Sequence, residues 1–333
     1  MEEINFAEYK NKLINANIPS EEIYDFKSSH IDDVYQRYFD WCVDNVNDYS
    51  KKFGLEPSFF YYWNTHRINA QAGFVYGNYV IRISKPYMET LHKKLGRKGQ
   101  FIGKTDWSAF HNLQKLLTNS LEYLMFQAST IFTFYHEFSH LVQKQGGAFL
   151  MNEHPTSDNY SFHLHLLEYD ADLNGCQFVC VYLLQFFQEN LPKESQTDVN
   201  LKRLMYLGIS SIVITFLLFL HGEMYPFKPE NLDISFYTRK STHPHTFVRA
   251  KYIMEHYVRI AKANGALIDF KDTADNVSFI CNEFFKDSNI FVDFTNGIQN
   301  NFNEINSYIA ELDMAQKKSL FCIRHKINLF GFN

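Results

Sequence analysis

The pentapeptide His136-Glu137-Phe138-Ser139-His140 lies inside a run whose apolar residues, Leu121, Leu124, Met125, Ala128, Phe132 and Tyr135, recur every three or four positions. That period predicts a helix. Asn119 with Glu122 three residues on gives it a capping-box-like start, and Gly146-Gly147 stops it. Residues four apart share one helical face, so both imidazoles can reach one ion at the roughly 2.0–2.1 Å that zinc requires. Glu137 stands one position round, where it can touch a water at the ion without being a ligand. A fold that contains this pair must bring a further ligand from a distant segment, because a catalytic zinc takes three protein ligands and keeps one open position.

The candidate third ligand is Glu168, in Leu167-Glu168-Tyr169-Asp170-Ala171-Asp172. On a helix, Glu168 and Asp172 project from one face a turn apart. The first can then bind metal while the second accepts the free N–H of a ligand histidine. Ala171 and Gly175, small and four apart, would let this helix approach the His136–His140 helix closely. Taken alone, two acidic residues a turn apart more often mark a solvated face; beside the histidine pair the metal reading is preferred. His163 and His165 alternate along the same stretch, so at most one could face the ion, and both are read as non-ligands. Cys176 and Cys180 share the Glu168 face further on and are read as core thiols.

Two more segments belong with these. Thr242-His243-Pro244-His245-Thr246-Phe247-Val248-Arg249 follows the third ligand, and Asn69-Ala70-Gln71-Ala72 precedes the pair. With HExxH and the E-Y-x-A-D stretch at Glu168–Asp172, the chain resembles the gluzincin zinc metallopeptidases, in particular the CAAX prenyl protease and HtpX-like group. The resemblance covers four short elements in order from residue 69 to 249. It implies a zincin-like catalytic domain in which His243 and Arg249 stand near the active site, stabilising the oxyanion or orienting carboxylates. It also implies an edge strand at Asn69–Ala72 on which an extended substrate pairs its backbone. The sequence after His140, Leu141-Val142-Gln143-Lys144-Gln145-Gly146, lacks the third histidine of the metzincins.

That family usually surrounds its motifs with several membrane spans. Here only Leu204 to Leu220, LMYLGISSIVITFLLFL, qualifies by length and lack of charge. A single crossing there would put Glu168 and His243 on opposite sides of a bilayer, so a buried core helix is expected. A soluble relative is the better match, and the phage-exclusion peptidases of the Lit type are one such group.

The rest of the chain sets the frame. Hydrophobic residues make up 46% of 333, enough for a large core, and 33 Phe with 21 Tyr are expected to fill it. Net charge is -5, from 37 acidic and 32 scattered basic residues, which removes the basic stripe of a nucleic-acid binder. The five cysteines are odd in number and lack CxxC spacing, and Met1-Glu2-Glu3-Ile4-Asn5 offers no signal-like stretch, so a reducing, cytoplasmic location is expected.

No repeat or linker appears, which predicts a helical portion over 1–60 and one catalytic domain over 61–333. Ile68 to Ser84 reads as a hairpin around Gly77-Asn78, hence a small antiparallel sheet. Pro86 opens a helical stretch to Leu95, and 96–103 is a loop. Further helices are expected over 161–189, 204–220 and 244–262. The fold class is therefore α+β, mostly α. The function expected is zinc-dependent hydrolysis of a protein or peptide substrate, with Glu137 as general base. The alternatives are a non-enzymatic zinc-binding sensor or interaction protein, and a membrane-embedded peptidase.

Overall fold

The computed structural model describes residues 3–97, 102, 108–144, 160–225 and 233–323. The chain separates into two compact units, one of residues 1–90, 136–154 and 320–333, the other of 91–135 and 155–319. The border between them falls inside one helix, after Tyr135, while the expected border at residue 60 falls inside a strand. The architecture is α+β and mostly helical.

In the first unit, α1 (Phe6–Asn15) and α2 (Asp32–Phe53) accompany three strands, β1 (Ser58–Trp63), β2 (Ala70–Val75) and β3 (Asn78–Ser84). Helix α2 carries Asp32 and Asp33 in its first turn and Lys51 and Lys52 in its last, each opposing the partial charge of its helix end. Gly54 closes it in the left-handed conformation, at φ 64°. The buried rings of Phe26, Tyr35, Phe39, Phe60 and Tyr62 interlock between α2 and the sheet, with Tyr35 and Tyr62 edge to face at 4.7 Å. The expected use of the aromatic residues as core filler is met here.

The sheet is mixed, which corrects the antiparallel expectation: strand order is β1-β3-β2, with β2 and β3 antiparallel and β1 parallel to β3. Strand β1 begins at Ser58, so the last residues of the expected helical portion are extended. The hairpin turn sits on Tyr76-Gly77, one residue before the expected centre. Both have positive φ, 54° and 80°, the type I′ geometry that follows strand twist. Asn78 instead pairs with Val75 and is buried, donating to the carbonyls of Ala16 and Tyr76.

Helix α3 (Lys85–Leu91) follows at once and continues into a single π-helical turn over His92–Gly96. Most of the expected 96–103 loop lies outside the described residues. Next come α4 (Ser108–Gln114) and α5 (Leu121–Lys144). The α5 cap is Ser120, whose Oγ accepts from the N–H of Tyr123 at 3.1 Å. Glu122, expected as the partner in a capping box with Asn119, instead accepts from the N–H of Ile102.

The second unit is helical: α6 (Phe162–Asn190), α7 (Asp198–Leu220), α8 (Thr246–Ala263), α9 (Phe270–Phe284), α10 (Ile290–Asn300) and α11 (Phe302–Gln316). Ser161 caps α6 through Leu164 N–H, as its position before an apolar run predicts. Helix α8 begins two residues after Pro244 because His245 is its cap, Nδ1 accepting from Phe247 N–H at 3.2 Å.

Helix α7 is long and apolar enough to cross a membrane, but every residue from Leu204 to Leu218 is buried by protein, against α6, α8 and α9. Helices surrounded on all sides are apolar all round. Thr215 meets α5, its hydroxyl donating to Ser129, which donates to the Ser211 carbonyl. Gly208 allows the approach of α6 and α8, since a Cβ there would lie 2.1 Å from Leu183 and 3.1 Å from the Tyr257 hydroxyl.

Two buried histidines of this unit bear on stability. His165, fully buried, has Nε2 3.2 Å from the Ser241 carbonyl and Nδ1 2.7 Å from the Tyr308 hydroxyl. The carbonyl can only accept, so Nε2 carries the proton and Nδ1 accepts. Burial lowers the pKa of His165 and of His245 to about 4. Both are therefore neutral in the folded state and bind protons more readily when unfolded. The stability they contribute is present above the ordinary histidine value of about 6.5 and is lost as pH falls toward 4, on the order of 3 kcal/mol each at the acid end. Denaturant midpoints measured between pH 7 and 4.5 should fall steeply, and His165→Gln should flatten the slope. A flat wild-type profile contradicts the assignment.

Candidate metal centre

The C-terminal end of α5, from His136 to Lys144, carries His136, Glu137, His140, Gln143 and Lys144. Phe138, on another face, packs against Tyr49 and Phe53 of α2, which orients this end of the helix. His136 and His140, one turn apart as their spacing requires, stand with rings perpendicular and their Nε2 atoms 3.2 Å from each other. Nδ1 of His140 lies 2.8 Å from Oε1 of the buried Gln143. An amide oxygen only accepts, so His140 Nδ1 donates and its Nε2 lone pair is left facing His136. Glu137 is half-buried, and among the described residues its carboxylate has no hydrogen bond or ion pair.

Gln143 was not foreseen as part of the site. Its position, three residues past His140 on the same face, was the available signal. A histidine ligand held through its second nitrogen loses 10- to 100-fold in metal affinity when that partner is removed. Gln143→Leu is accordingly expected to weaken any divalent-metal binding at the triad of His136, His140 and Glu168 by about that factor in a competition titration with a chelator, and unchanged affinity would remove Gln143 from the site.

Helices α6 and α8, with the segment just before α8 that carries His243, supply the remaining candidates. Glu168 is half-buried, with Oε1 3.3 Å from Nε2 of the more exposed His243, whose Nδ1 lies 2.9 Å from Thr242 Oγ1. Asp172, fully buried, receives two hydrogen bonds from Arg249, Nε at 2.8 Å and Nη2 at 2.7 Å, and a third from the Tyr252 hydroxyl. Arg249 also covers the ring of Phe216 at 4.3 Å. Burial works against its charge, but Asp172 more than offsets that and raises its pKa above the ordinary guanidinium value. Burial, reinforced by Asp172, drives the Tyr252 hydroxyl well above its usual pKa and keeps it a donor. These bonds make Asp172 a tie between α6 and α8, where the sequence reading gave it a ligand histidine as partner. Tyr252, three residues after Arg249, was missed.

The ligand atoms of His136, His140 and Glu168 all lie within 4.8 Å of one another, His136 buried and the other two half-buried. Two imidazole nitrogens and a carboxylate oxygen in that arrangement can hold a metal ion. No family model, characterised protein or solved structure matches the chain. The donor chemistry and its geometry therefore carry the reading alone.

The four residues expected to meet an extended substrate divide into two kinds. Val75 and Asn78 close a two-residue turn, so hydrogen-bonded pairs alternate back from there, and Ser84 N–H donates to the Asn69 carbonyl at 2.9 Å. Asn69 and Gln71 thus turn their backbone toward β3, while Ala70, Ala72 and Phe74 turn theirs away from it. The Gln71 side chain accepts from Arg82 at 2.8 Å. Among the described residues β2 has no strand on its other side.

Proposed function

We propose that the chain is a zinc-dependent metallopeptidase with His136, His140 and Glu168 as ligands and Glu137 as general base. The observation that carries this reading is the 3.2 Å separation of the two Nε2 atoms, with the Glu168 carboxylate beside them. Two nitrogens at 2.0–2.1 Å from a tetrahedral ion stand about 3.3 Å apart, so the pair fits zinc with little movement. A His2Glu set is the ligand chemistry of a catalytic site with an open position.

A zinc ion supplies Lewis acidity to a peptide carbonyl and to water at neutral pH. Glu137 takes the proton of the attacking water as oxygen adds to the carbonyl carbon. When the C–N bond breaks, Glu137 returns that proton to the leaving nitrogen, which departs as an amine. His243, whose Nε2 lies 3.3 Å from Glu168 Oε1, is the residue this reading assigns to donate to the oxygen that gains charge. The substrate is an extended peptide paired along Ala70 and Ala72 of β2. Five buried, free cysteines agree with a reducing compartment such as the cytoplasm.

The test is hydrolysis of a defined peptide library followed by mass spectrometry. Cleavage should disappear on chelation and return with one equivalent of zinc. Cleavage that survives complete metal removal contradicts the reading.

A further inference from the structure

Lys144 stands one turn beyond His140, at the end of α5, and is buried. Its ammonium donates to the Ala72 carbonyl at 3.0 Å. Ala72 is the middle of the three residues whose backbone turns away from β3, and its side chain packs inward opposite Ile81. A buried lysine stem therefore joins the helix that carries both histidines to the centre of the open strand edge, within a single unit.

We propose that Lys144 is a positioning residue for peptide binding: by holding the Ala72 carbonyl it fixes the β2 edge at a set distance from His140. The inference rests on the metallopeptidase reading and adds to it the residue that aligns the substrate strand. A carbonyl oxygen has two lone pairs, so Ala72 accepts from Lys144 and still offers its N–H, and a second acceptor position, to a strand laid along the edge. Without the tie, the edge must be ordered when peptide arrives, and affinity falls by the cost of that ordering. A small ligand that engages only the metal does not touch β2 and is indifferent to Lys144. The selectivity between the two ligands is what separates alignment from general structural support.

Acetohydroxamate and an extended tetrapeptide bearing the same hydroxamate at one end serve as probes on zinc-loaded protein, with affinities read by calorimetry. Wild type should bind the peptide hydroxamate more tightly than acetohydroxamate. Lys144→Met should reduce that advantage about tenfold, the loss expected for one charged hydrogen bond. Zinc content and acetohydroxamate affinity should stay unchanged. Lys144→Arg, which keeps a charged donor, should retain most of the advantage, and it tests the proposal independently if the Met variant does not fold.

Backbone amide exchange at Ala70 and Ala72 should slow when the peptide hydroxamate binds wild type. An undiminished advantage in Lys144→Met overturns the proposal, as does a loss shared equally by acetohydroxamate. Wild-type protein that takes up no zinc contradicts the metallopeptidase reading itself and removes the proposal with it.

Discussion

Glu137→Gln is expected to keep its zinc and to hydrolyse peptides about 10²- to 10⁴-fold more slowly than wild type. The substitution preserves shape and hydrogen-bonding reach but replaces a carboxylate with an amide that cannot take up a proton at neutral pH. The Glu137 side chain is half-buried and its carboxylate has no hydrogen bond or ion pair among the described residues, so its replacement should leave the helix undisturbed. The proposed ligands His136 and His140 are untouched, and metal content measured alongside kcat should match wild type. His140→Ala is the contrasting case and should lose metal and activity together. Equal activity in the Gln variant would end the general-base assignment, and loss of zinc would show that Glu137 also serves the ion.

The second large effect lies behind the site. Arg249→Leu should destabilise the protein by about 3–5 kcal/mol, because it leaves the carboxylate of Asp172 buried without its charged partner. Asp172 is fully buried and Arg249 nearly so, with two short bonds between them. Tyr252 remains as a donor but brings no charge. The guanidinium also gives up its contact with the Phe216 ring, 4.3 Å from the centroid, a smaller part of the loss at about 0.5–2 kcal/mol. Urea denaturation reads the change directly. Adding Asp172→Leu to Arg249→Leu should recover part of the loss, since an apolar pair of similar volume leaves no unpaired charge. A single-variant change below about 1 kcal/mol would place the pair among exposed, weakly coupled ions and contradict the account.

The features that could be read from the sequence are those set by neighbours along the chain. Helix α6 was expected over 161–189 and is Phe162–Asn190, because Ser161 and Pro192 are local start and stop signals. The pairing of His136 with His140 follows from helical geometry alone. The burial of α7 followed from a topological argument about Glu168 and His243, and the structure encloses it in protein. Features made by distant pairing were harder to see. Strand β1, SFFYYW, is a short aromatic run without alternation, which periodicity alone does not separate from a buried helix segment, and its partner β3 begins some twenty residues later in parallel register. The turn was displaced by one residue because Tyr76 rather than Asn78 accepts positive φ, while Asn78 is held inward by Ala16 and Tyr76.

The site itself divides in the same manner. His136, Glu137 and His140 were legible from spacing, and Glu168, Asp172, His243 and Arg249 from short motifs whose proximity only folding could establish. Glu168 does stand beside His243, and Asp172 beside Arg249. The partner of Asp172 was misjudged because a carboxylate one turn from a ligand suggests a histidine, whereas α8 brings a guanidinium to it. Gln143 and Lys144 carried no motif. Their parts arise from side chains reaching back to His140 and across to Ala72, and a sequence pattern does not encode reach.

The most direct test of the central claim is metal stoichiometry. Protein stripped with a chelator, returned to excess zinc and freed of unbound metal should hold one zinc per chain by elemental analysis. Glu168→Ala treated identically should hold far less. A wild-type chain that retains no zinc, or a Glu168→Ala chain that retains a full equivalent, would contradict the assignment of His136, His140 and Glu168 as one metal site.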